Sequence, residues 1–182
     1  MRNIILNLAV SLDGFIEGPN GETDWCIMDD DMGFTDFLDT VDTIFYGRVS
    51  YDAWGQYQPD EQSSDMEKEI WKTVHSKAKY VFTRQPGDDL HVNYISTHIV
   101  EQVRAIQQQP GRDIWLYGGR SLINSFIHSD LINVFRLSYH PVVLGGGLPL
   151  MGQLQNRINL RHIKTNVFRS GVVELMYEKP IN

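Results

Sequence analysis

The sequence predicts an α/β fold whose central sheet is mostly parallel and closes with antiparallel strands. Three observations carry that prediction. Short β-branched and aromatic runs alternate with longer stretches whose apolar residues fall three and four positions apart. The short runs are almost wholly apolar, as expected of strands covered on both faces of a parallel sheet. After Ile127 the alternation stops, and long strand-like runs follow with no helix between them.

In chain order, Ile4–Val10 reads as a buried first strand. Thr43–Tyr46 is the next, stopped by Gly47, then Tyr80–Thr83, then Ile114–Tyr117, stopped by Gly118-Gly119. Between them Phe34–Thr40, Glu67–His75 and Thr97–Gln108 have helical spacing. Thr97 is placed to N-cap the last of these, Val100 and Val103 share a face, and Gln109-Pro110-Gly111 ends it. Leu122–Ile127 is a further amphipathic stretch, and Val134–Val143 and Val172–Glu178 are the closing strands. Gln56–Ser64 is polar enough for a long surface loop. No repeat or linker interrupts the pattern, so residues 1–182 are expected to form a single domain.

Composition narrows the function classes. Sixteen basic against 23 acidic residues give a net charge of −7, which opposes a nucleic-acid or anionic-membrane surface built on clustered Lys and Arg. The apolar share of 42% suits a packed core, so no staple is needed. One cysteine, Cys26, forms no internal disulfide and builds no structural zinc site. The six histidines lack zinc-binding spacing, so no metal is expected. Ile4–Val10, interrupted by Asn7, falls far short of the ~20 residues that span a bilayer. A soluble, cytoplasmic protein is expected.

Chemistry is expected where glycines punctuate strand ends, because open α/β sheets bind ligands outside the carboxyl ends of their strands. Ser11-Leu12-Asp13-Gly14 follows the first strand, and Gly47-Arg48-Val49-Ser50 the second. Phe82-Thr83-Arg84 ends the third, and Gly118-Gly119-Arg120-Ser121 joins the fourth to a helix. Free amides and partial positive charge at a helix start attract phosphate, and glycine admits it closely. The alternative is a tight turn that only needs positive φ at glycine, with solvated arginines beside it. No G-x-G-x-x-G follows the first strand and no G-x-x-x-x-G-K-[ST] occurs, which opposes the common nucleotide-binding loops.

The joint order of these segments decides more than any one of them. Leu8-Ala9-Val10, Asp24-Trp25, Gly47-Arg48-Val49-Ser50, Val81-Phe82-Thr83-Arg84 and Leu116-Tyr117-Gly118-Gly119-Arg120 together resemble the dihydrofolate reductase superfamily over nearly the whole chain. Within it, Ser11–Gly14 and His140–Gly147 resemble the reductase domain of the bifunctional riboflavin-biosynthesis deaminase–reductase and its stand-alone relatives. The resemblance implies a three-layer α/β/α fold, dihydrofolate-reductase-like, and an NADPH cradle. Gly47, Arg48 and Ser50 would hold cofactor phosphates, Thr83 and Arg84 the 2′-phosphate, and Gly118, Gly119, Arg120 and Ser121 the pyrophosphate. Ala9 and Ile16 would flank the nicotinamide. Two arginines near one phosphate favour NADPH over NADH. The deaminase half needs a zinc set that a one-cysteine chain does not supply.

On the substrate side, folate-reducing members place a carboxylate five residues after a tryptophan. Trp25 plus five is Asp30, with Phe34 one helical turn on and Ser138 as a hydroxyl partner. Asp30 is thus the expected catalytic acid, with Asp13, Trp25, Phe34 and Ser138 on the substrate. Asp29, Asp30 and Asp31 are consecutive, however, and a triple Asp before a helix also serves as cap and dipole partner. The resemblance implies an NADPH-dependent reductase of a small heterocycle, similar to 5-amino-6-(5-phosphoribosylamino)uracil reductase, acting as a homodimer through the C-terminal strands. Dihydrofolate reduction and a non-catalytic nucleotide-binding role are the alternatives.

Overall fold

Alternation along each strand sorts the core into two halves. In the computed structural model, which describes residues 1–152, 154 and 156–180, the strands are β1 (Ile4–Ser11), β2 (Phe15–Glu17), β3 (Val41–Gly47), β4 (Ala78–Phe82), β5 (Asn93–Ile95), β6 (Asp113–Gly118), β7 (Val134–His140), β8 (Leu148–Pro149), β9 (Arg161–Val167) and β10 (Val173–Glu178). The helices are α1 (Phe34–Thr40), α2 (Arg48–Ser50, continued by a wide turn Tyr51–Gly55), α3 (Asp65–His75), α4 (Ile99–Gln108) and α5 (Arg120–His128). Eight strands form one sheet in the order β5-β4-β3-β6-β1-β7-β10-β9, while β2 and β8 pair separately. Every pairing from β5 to β7 is parallel, and β10 runs antiparallel to both β7 and β9.

Neighbouring strand residues face opposite ways. Ile4 and Leu6 therefore meet Val103 and Ile106 of α4 and Ile123 and Phe126 of α5 in one core. Ile5, Ile44 and Tyr46 meet Phe37 and Leu38 of α1 and Ile70 and Val74 of α3 in the other. The outcome is the three-layer α/β/α arrangement. Phe45, Phe82 and Phe126 pack edge to face with ring centroids 5.2–5.9 Å apart. Truncating Phe126, which is fully buried, should cost about 3–5 kcal/mol.

The observed helix ends follow local chemistry. Ser64 caps α3, its hydroxyl accepting the Glu67 amide at 3.1 Å, a contact worth ~1 kcal/mol. Thr97 does not cap α4. His98 takes that position with φ 48°, and the Thr97 carbonyl accepts from the Gln102 side-chain amide at 2.7 Å instead. Gln56–Ser64 is a loop between Gly55 and α3. The parallel strands β1, β3, β4 and β6 all end at one edge, which gathers their glycine-bearing turns.

Candidate active site

Two of those turns pack backbone against backbone because β3 and β6 are neighbours. A Cβ at Gly47 would lie 3.3 Å from the Gly118 carbonyl oxygen, and one at Gly119 would lie 2.9 Å from Ser50 Oγ. Gly118, at φ 125°, holds a conformation that favours glycine. α5 begins directly after Gly119 without a side-chain cap, and the first amides of a helix have no partner within it.

Around this turn lies a groove of about 670 Å³ that collects Gly47, Arg48, Ser50, Thr83, Arg84, Gly119, Arg120 and Ser121. Its charges are three guanidiniums, Arg48, Arg84 and Arg120, against one carboxylate, Glu17. Arg48 pairs with Asp52 at 2.6 Å, but both are more than half exposed, so that pair is weak and easily exchanged. Thr83 spends its hydroxyl on the turn, donating to the Gln85 carbonyl at 3.0 Å.

A second cleft, of about 630 Å³, adjoins the first at Glu17, Ser50 and Gly119. Its floor is the sheet face carrying Asn7 and Ala9 of β1, Arg136 and Ser138 of β7 and Glu174 of β10. Register sets Asn7 beside Arg136, Ala9 beside Ser138 and Ser138 beside Glu174. Arg136 Nε donates to Glu174 Oε2 at 2.5 Å, and Asn166 donates to the other carboxylate oxygen at 2.8 Å. The guanidinium also lies 5.0 Å from the Phe37 ring centroid. Ile16, Ile27, Phe34, Trp54, Trp71 and Trp115 supply largely apolar walls.

His140 closes one end and is 2% exposed. Its Nδ1 accepts the Ile27 amide at 3.2 Å, which leaves Nε2–H as the ring's donor. Burial holds its pKa below the ordinary histidine value, so it is neutral near pH 7. Burial pushes the Tyr117 hydroxyl well above the usual phenol range. Burial, with Asp24 nearby, pushes the Cys26 thiol up to about 11.

The expected cofactor residues are thus brought together, with Ala9, Ile16 and Gly118 lining the adjoining cleft. Phe34 and Ser138 also line that cleft, but Asp13, Trp25 and Asp30 do not. Asp30 is exposed and opens a short 3-10 turn, Asp30–Met32, with Asp29 at its N-cap; Asp29 is the member of the triplet that lines the cleft. The expected helical turn from Asp30 to Phe34 is broken at Gly33, whose φ of 63° separates the 3-10 turn from α1. Asp13 is exposed and accepts from Ser11 Oγ and from the amides of Leu144 and Gly145, tying the β1 turn to the glycine loop. The Trp25 and His140 rings pack T-shaped with centroids 5.5 Å apart, and Trp25 Nε1 donates to the Glu22 carbonyl. Arg136, Glu174 and His140 were not anticipated. Two-residue alternation from Ser138 places Arg136 and His140 on its face, the signal that could have found both.

Comparison with known proteins decides the family. The family model described as the RibD C-terminal domain matches residues 2–174. This chain belongs to that family. Among its relatives, the uncharacterized Bacillus subtilis (strain 168) protein YyaP is 58% identical over 177 residues, covering 97% of this chain and 94% of YyaP. Solved structures share the fold of this RibD C-terminal domain. A Thermotoga maritima diaminohydroxyphosphoribosylaminopyrimidine deaminase/5-amino-6-(5-phosphoribosylamino)uracil reductase is 12% identical with a TM-score of 0.71, over 98% of this chain and 57% of that one. A dihydrofolate reductase from Enterococcus faecalis, complexed with NADP(H), is 14% identical with a TM-score of 0.67, over 97% and 96%.

Proposed function

We propose that this RibD C-terminal domain is an NADPH-dependent reductase of a small heterocyclic substrate. One observation carries the proposal: a cationic groove and an apolar, acid-lined cleft meet at the Ser50–Gly119 contact. The groove's donor set fits a phosphorylated dinucleotide. Arg48 and Arg84 would take the 2′-phosphate and neighbouring oxygens, while Thr83 holds the turn that carries Arg84 through its hydroxyl bonds with Gln85. Gly118, Gly119, Arg120 and Ser121 would take the pyrophosphate, where the absence of Cβ atoms admits it closely. Ala9 and Ile16 would bound the nicotinamide at the junction. When bound, the cofactor supplies hydride chemistry. The names of the Thermotoga and Enterococcus proteins, a reductase and an NADP(H) complex, support the same assignment.

The chain's own residues then bind and orient the acceptor. Apolar walls exclude water, while Arg136, Ser138 and His140 Nε2–H offer hydrogen bonds to a polar ring edge. Burial fixes the resting protonation of three groups lining the cleft near pH 7. His140 is neutral, Tyr117 is held protonated, and the Cys26 thiol titrates at about 11. Asp30, exposed and outside the cleft, is not placed to deliver the proton. Within this proposal the protein works in the cytoplasm as a homodimer joined through β9. That edge strand is exposed on both faces except at Asn166, with Ile163 and Val167 exposed on its surface. The test is titration with NADPH and NADH, followed by NADPH oxidation with heterocyclic acceptors. NADPH should bind about tenfold or more tighter, and equal affinities would contradict the proposal.

A further inference from the structure

We infer that the substrate cleft is built for an uncharged or cationic planar heteroaromatic molecule that carries no phosphate. This deepens the proposed function and rests on its assignment of the cationic groove to the cofactor. The lining of the cleft holds four carboxylates, Glu17, Asp29, Glu67 and Glu174. Among the described lining residues Arg136 is the only Lys or Arg, and it is already committed to Glu174 at 15% and 3% exposure. Glu17, Asp29 and Glu67 have no ion-pair partner among the described residues. Glu67 accepts only a neutral donor, the Tyr57 hydroxyl, at 2.8 Å.

A phosphate entering such a space would meet three unpaired negative charges across low-dielectric walls and find no free cation. Like charges disfavour it there. Arg48, Arg84 and Arg120 lie next door and would draw a phosphate into the cofactor groove instead. The same field raises the pKa of a basic ring nitrogen, so a protonated heterocycle is favoured. Planarity follows from the walls, since Phe34, Trp54, Trp71 and Trp115 offer aromatic faces and edges. Arg136 remains useful: with Nε on Glu174, its terminal nitrogens are donors for a ring carbonyl whose charge is neutral. This departs from the phosphoribosyl compound in the Thermotoga protein's name.

The test uses riboflavin and FMN, which share one ring system and differ by a phosphate. Protein saturated with NADP⁺, so that the cationic groove is filled, is dialysed to equilibrium against each flavin at low ionic strength. Riboflavin should be retained at least about tenfold more tightly than FMN. The variant Asp29→Asn/Glu67→Gln should bring the two within about threefold, by tightening FMN. The unmutated protein's ratio decides the matter even if that variant fails to fold. FMN bound equally or more tightly, or neither flavin retained, overturns the inference and leaves the cofactor assignment standing. Failure of NADP⁺ to saturate the protein overturns that assignment and this inference with it.

Discussion

Gly119 and Ser50 stand so close that a Cβ on the glycine would lie 2.9 Å from the serine hydroxyl oxygen. The contact joins the turn after β6 to Ser50, the last residue of α2, and both grooves reach it. Glycine at this point lets the two turns pack closely. Serine is a short side chain that can rotate away, so an added methyl displaces a hydroxyl rather than backbone.

Gly119→Ala should leave the protein folded and weaken NADP⁺ binding about tenfold, since the Ser50 hydroxyl moves and the backbone approach is blocked. Ser50→Ala should reproduce only the hydroxyl part, a smaller loss. Calorimetric titration beside thermal melts separates the causes. A drop in melting temperature with unchanged affinity would make Gly119 purely a turn residue.

Arg48 and Arg84 should carry the cofactor preference. Each charge-assisted phosphate contact is worth roughly 1.5–3 kcal/mol, so the double alanine variant should bind NADPH and NADH alike. Arg48 is also held by exposed Asp52, and Asp52→Ala should leave the preference intact because that surface pair contributes little. A preference that survives the double substitution would place the 2′-phosphate elsewhere.

The parallel half of the sheet was legible because its longer strands are mostly apolar and because β3 and β6 end in glycine. Ile4–Val10 and Thr43–Tyr46 became β1 and β3 with small extensions. β9 was not legible: Arg161–Val167 is polar and mostly exposed, so no burial pattern marks it. β2, β5 and β8, two or three residues each, are too short to show alternation. The cationic groove was readable from local turns, each complete within a few residues. The apolar cleft was not, because its floor is assembled across β1, β7 and β10 from residues far apart in sequence. Glu174 meets Arg136 only through sheet register, which one strand's spacing does not reveal.

Breaking the Arg136–Glu174 pair on one side should be costly. Glu174 is 3% exposed, so Arg136→Met strands a buried carboxylate at a cost of about 3–5 kcal/mol by urea unfolding. Arg136→Met/Glu174→Leu should recover most of that stability while losing substrate binding. Equal destabilisation by the single and double variants would mean that the pair holds the sheet together rather than furnishing the cleft.

Asp30→Asn should leave NADPH oxidation within about twofold of the parent, because Asp30 is exposed in the 3-10 turn and outside the cleft. Asp29→Asn changes a residue that does line the cleft and should alter the acceptor's KM rather than cofactor affinity. A large loss of turnover with Asp30→Asn would show that the turn rearranges when substrate binds.

Acid should destabilise the protein through His140. Burial lowers its folded-state pKa below the ordinary 6.5, while the unfolded chain keeps that ordinary value. Between the two values the unfolded state binds more protons, so stability rises with pH across that window and is lost as pH falls through it. Above about pH 6.5 both states are neutral at this ring and the contribution is complete. Asn is the replacement that tests this, since its side-chain oxygen can accept the Ile27 amide as Nδ1 does. His140→Asn should therefore fold, melt somewhat lower at pH 8, and lose part of the slope of melting temperature between pH 7 and pH 5. The cleft gives a second readout. Protonating His140 removes the Nδ1 acceptor and releases the Ile27 amide. Acceptor binding should then weaken as pH falls through the folded-state pKa, below the window in which stability is lost, in the parent but not in His140→Asn. Parallel slopes in both proteins would assign the acid sensitivity to carboxylates instead.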